Sequence, residues 1–221
     1  MIQSALQEIW DELPKGTKLV AISKYHPVSA IEEAYACGQR IFGENHVQEL
    51  VQKEALLPKD IEWHFTGHLQ TNKVKYIAPF ISLIHSVDSM KLLKEIDKQG
   101  RRVGRKIRCL LELHIAAEET KYGFLPSEIK DLYANKMFEE LKNVEICGLM
   151  CMATNTDDTS RIKADFAKAK AVFDEIREEY YPDGGLFCEL SMGMSDDYEI
   201  ALEYGSTMVR IGTRIFGERV Y

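Results

Sequence analysis

The stretch Leu19-Val20-Ala21-Ile22-Ser23-Lys24 shows how this chain is built. Its first five residues are mostly apolar and two of them are β-branched, which is typical of a short buried strand. Pro27 follows shortly afterwards, so the strand ends abruptly and carries Lys24 at its C-terminal tip. Residues 28–36 then show helical periodicity. Together the two segments predict one β–α unit.

The same alternation continues along the chain. Strand-like apolar runs occur at 19–23, 40–42, 62–66, 83–86, 107–115, 144–150, 186–191 and 207–211. Helix-period stretches lie between most of them, at 28–36, 90–99, 127–141, 160–180 and 196–203. Eight such repeats over about 200 residues predict an α/β fold, a single (β/α)8 TIM barrel spanning residues 1–221. The alternative is an open doubly wound sheet, which normally has fewer strands, and no G-x-G-x-x-G motif follows a strand here.

Capping residues support the predicted helices. Ser89 precedes the helix at 90–99 as an N-cap, and Ser29 with Glu32 has the spacing of a capping box. Glycines are expected to end helices at Gly38, Gly100 and Gly205.

Composition excludes several classes of function. The 221 residues are 45% hydrophobic and 29% charged, and the formal net charge is −7, so we expect no nucleic-acid partner. No run approaches the roughly 20 apolar residues that span a bilayer. The N-terminus also lacks the features of a signal peptide, which predicts a cytoplasmic protein without a membrane partner. Five scattered cysteines fit reduced thiols in that setting.

The ends of the predicted strands carry the candidate chemistry, because strand tips form the functional face of a barrel. A lysine at such a tip can be partly desolvated, which lowers its pKa and frees the neutral amine to form a Schiff base. The alternative is that Lys24 is an ordinary solvated lysine. Asn45 follows the second strand, His68 the third, and Met150 ends the sixth.

Two glycine turns near the C-terminus predict a phosphate site. Ser191 ends strand seven and Gly193 follows it, and Gly212 and Thr213 follow strand eight. Barrels often bind phosphate with the loops after these two strands, where hydroxyls and backbone amides suit a dianion. Ser195 is expected to cap the helix that follows the first turn.

Two further residue types need interpretation. Arg210 should alternate in facing with its strand neighbours and point into the barrel, where a buried arginine needs an acceptor or an ion pair. His64 and His68 have an i,i+4 spacing, but that spacing aligns ligands only on a helix. We therefore predict no metal site, with His64 structural and His68 a polar residue of the site.

A Schiff-base lysine facing a phosphate site suggests pyridoxal 5′-phosphate (PLP) as the cofactor. The residues also resemble a known family, the pyridoxal-phosphate homeostasis proteins, from about Leu19 to Tyr221. The motifs that carry the resemblance are Ala21-Ile22-Ser23-Lys24, Phe42-Gly43-Glu44-Asn45, the run from Trp63 to Lys73, Gly148-Leu149-Met150, the run from Ser191 to Asp197, and Val209-Arg210-Ile211-Gly212-Thr213.

The resemblance implies a barrel like the N-terminal domain of alanine racemase, with PLP bound to Lys24. It implies phosphate binding at Ser191, Gly212 and Thr213, and an arginine, Arg210, that faces the pyridine nitrogen and keeps it unprotonated. Asn45 and His68 correspond to positions near the cofactor. The cofactor-binding prediction as a whole is Lys24, Asn45, His68, Met150, Ser191, Gly193, Arg210, Gly212 and Thr213. The sequence departs from the family at His114, where asparagine is frequent.

We expect a PLP carrier with no catalytic residues rather than an enzyme. Alanine racemases, by resemblance, add a β-domain and take a second base from the partner subunit, and the chain ends just after strand eight. Two-base racemisation needs an acid or base on each face of the substrate carbanion. The alternatives are a minimal PLP-dependent amino-acid racemase and a cofactor-free Schiff-base aldolase. The expected partners are PLP and PLP-dependent apo-enzymes, and the expected state is a monomer.

Overall fold

The computed structural model describes residues 1–118 and 122–218. Eight parallel strands close into a barrel in sequence order, with the last strand paired to the first. The strands are β1 (Lys18–Ile22), β2 (Ile41–Glu44), β3 (Glu62–Phe65), β4 (Leu83–Val87), β5 (Ile107–Leu113), β6 (Val144–Cys151), β7 (Glu189–Ser191) and β8 (Met208–Ile211). The predicted barrel fold is confirmed.

Helices surround the barrel. They are α1 (Ile2–Glu12), α2 (Val28–Ala36), α3 (Val47–Leu56), α4 (Val74–Ile77), α5 (Met90–Val103), α6 (Pro126–Ala134), α7 (Thr159–Tyr180), α8 (Tyr198–Glu203) and α9 (Thr213–Phe216), with a short 3-10 helix at Thr71–Lys73. Within the described residues no helix has the length and apolar character needed to cross a membrane.

The apolar residues of the strands form two cores. The larger one lies between the barrel and the helices, and it includes Val209 and Ile211. The smaller one fills the barrel interior and consists of Val20, Leu83, Leu110, Cys147, Met150 and Met208. Because side chains alternate along a strand, Arg210 on β8 faces the interior together with Met208. The residues that lie beyond this inner core, towards the C-terminal strand ends, reach the barrel mouth.

The predicted helices differ from the structure at three caps, two of which, at Ser29 and Gly100, lie away from the site. Ser29 cannot form a capping box because α2 begins at Val28, with Pro27 as the capping residue. Ser29 therefore lies inside the first turn of the helix. Gly100 does not end a helix. It lies within α5, where an added Cβ would come 2.8 Å from the Arg105 carbonyl oxygen, and Gly104 (φ +67°) follows the last helical residue instead. The Ser89 cap is confirmed, since its side chain accepts a hydrogen bond from the Leu92 amide.

Candidate functional site

A cavity of about 280 Å³ opens at the C-terminal ends of the strands. It is lined by Ile22, Lys24, Asn45, Thr66, Met152, Met194, Ser195, Asp196, Arg210, Gly212 and Thr213. These residues lie at or just beyond the ends of six strands, so the barrel brings together segments that are far apart in sequence. Larger clefts exist, such as one of about 640 Å³ beside Tyr133 and Tyr180, but that cleft lies on the outer helices, away from the strand ends.

Lys24 lies in a turn two residues beyond the end of β1 and is half-buried. The turn is tight, because Tyr25 has a positive φ of 67°, which is uncommon for a non-glycine residue. Ser23, immediately before the lysine, is fully buried, and its amide donates to the Gly43 carbonyl oxygen of β2 at 3.0 Å. The backbone around Lys24 is therefore fixed to the neighbouring strand.

Arg210 forms the floor of the cavity and has the acceptors that a buried arginine needs. Its guanidinium donates to the carbonyl oxygen of Ser191 at 2.9 Å, to the hydroxyl of Ser191 at 2.8 Å and to the carbonyl oxygen of Cys151 at 3.0 Å. Burial lowers the pKa of Arg210. The group carries only donors and holds a fixed orientation inside the barrel mouth.

Two buried histidines continue this hydrogen-bonded chain into the barrel. The Ser191 hydroxyl lies 3.0 Å from His85 Nδ1, and His85 Nε2 lies 2.9 Å from His64 Nδ1. Because arginine can only donate, the Ser191 hydroxyl accepts from Arg210 and donates its own proton to His85 Nδ1. His85 therefore carries its proton on Nε2 and donates it to His64 Nδ1, which leaves the proton of His64 on Nε2 as well. Burial lowers the pKa of His64 to about 3 and that of His85 well below its ordinary value, so both rings are neutral.

The turn after β8 presents backbone donors. Gly212 precedes α9, and its carbonyl oxygen accepts from the amides of Ile215 and Phe216 at 2.9 Å. The amides at the very start of a helix have no acceptor within it, which makes those of Thr213 and Arg214 suitable for an anion. The exposed Thr213 adds a hydroxyl beside them. This arrangement matches the donor set expected for a phosphate.

The turn after β7 depends on Gly193. Its φ is +93°, and an added Cβ would lie 2.7 Å from Ala201 Cβ and 2.8 Å from Tyr198 Cα, so a side chain would push α8 away. Ser195 does not cap this helix as expected, because α8 begins at Tyr198 with Asp197 as the preceding residue. Asp197 instead accepts from the Met194 amide at 2.6 Å. Ser195 remains in the loop and lines the cavity.

The structure brings five of the predicted cofactor residues together around the cavity, namely Lys24, Asn45, Arg210, Gly212 and Thr213. Gly193 lies beside them and accepts the Arg210 amide at 3.0 Å. Ser191 and Met150 are buried inside the barrel, one layer below the cavity. The Ser191 hydroxyl therefore does not line the cavity but accepts a hydrogen bond from Arg210. Met152, two residues after Met150, reaches the cavity.

His68 is placed elsewhere at the barrel mouth. Its Nδ1 lies 3.0 Å from Asp88 Oδ2, and its ring stacks on Tyr122 with the ring centres 4.0 Å apart. His64 is structural, as expected. Within the described ranges, no group of three or more histidine, cysteine, aspartate or glutamate residues could hold a metal ion.

Several cavity residues are not among those predicted from the sequence. Thr66 follows β3 as Asn45 follows β2, and its hydroxyl donates to Asn45 Oδ1 at 2.9 Å. That parallel position was a usable signal. Met152 and Met194 had none, because an apolar residue after a strand looks like ordinary core.

Glu112 and His114 lie close to the site on the β5 side. They border a small cavity with Tyr122 and Met152. Burial raises the pKa of Glu112 to about 7, the nearby Asp88 raises it as well, and Arg210 opposes both. The carboxyl group thus faces the mouth with a weakened preference for the charged form.

Comparison with known proteins places the chain among proteins of one fold. A family profile described as "Alanine racemase, N-terminal domain" matches residues 2–220. A pyridoxal phosphate homeostasis protein from Aquifex aeolicus is 43% identical over 205 residues, which cover 92% of this chain and 88% of the relative.

Solved structures agree. PipY from Synechococcus elongatus, with PLP bound, superposes with a TM-score of 0.88 and 36% identity, covering 98% of this chain and all of PipY. An alanine racemase from Bartonella henselae has a TM-score of 0.75 at 17% identity, covering 99% of this chain but 58% of the racemase. The second likeness concerns the fold alone.

Proposed function

Because the chain belongs to the pyridoxal phosphate homeostasis proteins and carries the alanine racemase N-terminal domain, we propose that it binds PLP and serves PLP homeostasis. The cofactor is held in the cavity at the barrel mouth as a Schiff base on Lys24. In this condensation the amine nitrogen bonds to the aldehyde carbon, and the aldehyde oxygen leaves as water with the two amine protons. The observation that carries the proposal is the convergence of Lys24, Arg210 and the Gly212–Thr213 turn on one cavity.

The donors around the cavity fit PLP. The Lys24 amine can react with an aldehyde. The buried Arg210 guanidinium can donate to a ring nitrogen, and the helix-start turn at Thr213, with its hydroxyl, can bind a phosphate. The volume of about 280 Å³ is close to the lower end of ordinary small-molecule sites, which hold roughly 300–1,000 Å³. That size suits a single-ring ligand.

The phosphate is assigned to the turn after β8. Thr213 offers a hydroxyl, and the Thr213 and Arg214 amides, which have no acceptor within α9, offer helix-start donors. An added Cβ at Gly212 would lie 3.0 Å from the Ile22 carbonyl oxygen, so a larger residue would crowd the floor of the cavity. Ser195 approaches the cavity from the turn after β7 as a second hydroxyl.

Arg210 is the proposed partner of the pyridine nitrogen. PLP supplies an electron sink that is strongest when its ring nitrogen is protonated. A guanidinium can only donate a hydrogen bond, and Ser191 and Cys151 already hold it in position. It would keep that nitrogen unprotonated and limit the reactions that the site can support.

We further propose that the protein carries PLP without turnover. The described cavity lining offers Lys24, Asp196 and Arg210 as its ionisable groups, and it contains no tyrosine, histidine or cysteine among the described residues. Racemisation needs an acid or base on each face of the carbanion. Lys24 can serve one face, and Asp196 is exposed in the loop after β7. Delivery of PLP to apo-enzymes and a monomeric state belong to the same proposal.

Absorption spectroscopy tests the proposal. Protein mixed with PLP should show an imine band that disappears in Lys24→Ala and persists in Lys75→Ala, a control at an exposed lysine of α4. Lack of a band in the unaltered protein would overturn the proposal. Exchange of an amino acid's α-proton in deuterated water, lost in Lys24→Ala, would favour the racemase. A phosphorylated sugar trapped on Lys24 would favour the aldolase.

A further inference from the structure

A buried lysine on α3 contacts the backbone next to Lys24. Lys53 is 5% exposed, although it lies on an outer helix. Its Nζ donates to the Ser23 carbonyl oxygen at 2.8 Å, to Glu44 Oε1 at 2.7 Å and to Glu49 Oε1 at 2.6 Å. All three donor positions of the ammonium group are used, and one of them fixes the residue that precedes Lys24.

The same cluster also holds the residue after Lys24. Glu49 Oε1 accepts the Tyr25 amide at 2.7 Å. Glu44 Oε1 in turn accepts the Ser23 hydroxyl at 2.6 Å. One charged cluster, which consists of Glu44, Glu49 and Lys53, therefore forms hydrogen bonds to the backbone on both sides of Lys24.

Stability alone is a poor explanation for this cluster. Glu44 is fully buried, and its Oε2 accepts no hydrogen bond from the described residues. Burial raises the pKa of Glu44 to about 7, against the opposing effect of Lys53. Buried ion pairs often stabilise a fold no better than apolar residues of similar volume. What the cluster does supply is a defined geometry at one turn.

That turn needs to be held. Tyr25 has a φ of +67°, a backbone conformation that is costly for a side chain of this kind and persists when the surroundings impose it. The ties to Ser23 and Tyr25 lie directly on either side of Lys24. A looser turn would let the Lys24 side chain sample directions away from the cavity.

We infer that Glu44, Glu49 and Lys53 are positioning residues that aim the Lys24 amine into the cavity for condensation with an aldehyde. The inference rests on the proposed function, since it assumes that Lys24 carries the cofactor. The cluster touches the backbone at Ser23 and Tyr25, so it acts through Lys24. Loss of the cluster should lower the equilibrium constant for imine formation on Lys24 and leave phosphate binding at Thr213 unchanged.

Two ligands separate these effects. PLP reports imine formation by its absorption, and 4′-deoxypyridoxine 5′-phosphate, which has a methyl group in place of the aldehyde, reports non-covalent binding by calorimetry. Lys53→Met should lower the equilibrium constant for imine formation by about tenfold or more, because misplacement of a reacting group is costly. Binding of the deoxy compound should be unchanged. Lys53→Arg should recover part of the loss by keeping the positive charge.

Lys18→Met is the matched control. Lys18 also pairs with a buried carboxylate, Glu189, but at the opposite end of β1. Lys18→Met should change neither imine formation with PLP nor binding of the deoxy compound.

The outcomes are distinguishable. An unchanged imine constant in Lys53→Met overturns the inference, and so does an equal loss for both ligands, which would indicate a merely structural role. Should Lys53→Met fail to fold by circular dichroism, Glu49→Ala removes the tie to Tyr25 at a half-buried position and must show the same selective loss. Absence of an imine on Lys24 in the unaltered protein would instead overturn the proposed function itself.

Discussion

Arg210 and Ser191 are joined twice, since one guanidinium nitrogen donates to both the carbonyl oxygen and the hydroxyl of Ser191, at 2.9 and 2.8 Å. This contact links the cavity floor to the histidine chain inside the barrel. A serine expected to bind phosphate thus orients the arginine that faces the cavity. Ser191 can hold Arg210 in this way because β7, which carries the serine, is paired with β8, which carries the arginine.

Ser191→Ala should therefore destabilise the protein and weaken PLP binding. It leaves Arg210 and His85 each short of a buried partner, at a cost of about 1–3 kcal/mol in the free energy of unfolding. Urea denaturation and PLP titration measure the two effects. Thr207→Val is the control, since the Thr207 hydroxyl also bridges β7 and β8, but it contacts Glu189 and the Leu190 amide at the start of β7. PLP affinity equal to that of the unaltered protein would refute the role given to Ser191.

The histidine chain predicts a definite proton arrangement. Nitrogen-15 NMR should show His64 and His85 as neutral rings with the proton on Nε2, and both should stay neutral from pH 8 to pH 5, because burial lowers their pKa values. Ser191→Ala should perturb the His85 signals first, since it removes the donor to Nδ1. A ring that charges within that range would contradict the assignment.

Glu112 predicts a pH-dependent stability. Its folded-state pKa is raised to about 7, so the native protein binds a proton that the unfolded chain has released, and stability falls as pH rises from about 4.5 to about 7. Glu112→Gln removes this effect. Relative to the unaltered protein, the variant should gain up to about 3 kcal/mol between pH 5 and pH 8. Paired urea titrations check it, and a difference that stays constant with pH would exclude the raised pKa.

Gly193 and Gly184 form a natural pair of tests. Both have positive φ values, of 93° and 86°, but an added Cβ clashes with α8 only at Gly193 and meets open space at Gly184. Gly184→Ala should cost about 1–2 kcal/mol for the backbone strain. Gly193→Ala should cost about 1–3 kcal/mol more for the overpacking and should lower PLP affinity. Thermal unfolding with PLP titration decides; equal effects of the two substitutions would contradict the packing argument.

The barrel could be predicted from the sequence because each strand is an apolar run followed by a turn and a helical pattern. Lys24, Asn45 and Thr213 were predicted by the same logic, since residues one or two positions beyond a strand reach the barrel mouth whichever way the strand is rotated. That residues 1–221 form a single domain stays a prediction, as does the cofactor role of each residue.

The facing of residues inside the strands could not be predicted in the same way. Gly148, with φ +151°, coincides with a shift in the β5–β6 register, so the alternation along β6 changes within the strand. After the shift, Met150 and Met152 both face the barrel interior, with Met150 in the inner core and Met152, two residues further on, at the cavity. The cluster behind Lys24 was also missed, because Lys53 looks like a surface residue on a charged helix until α3 is packed against the barrel.

The site at which PLP attaches to the protein decides whether Lys24 carries the cofactor. The protein is incubated with PLP, reduced with borohydride, digested and mapped by mass spectrometry. One reduced pyridoxyl adduct is expected, on the peptide that contains Lys24, and it should be lost in Lys24→Ala. An adduct confined to other lysines, or no adduct at all, would contradict that role of Lys24.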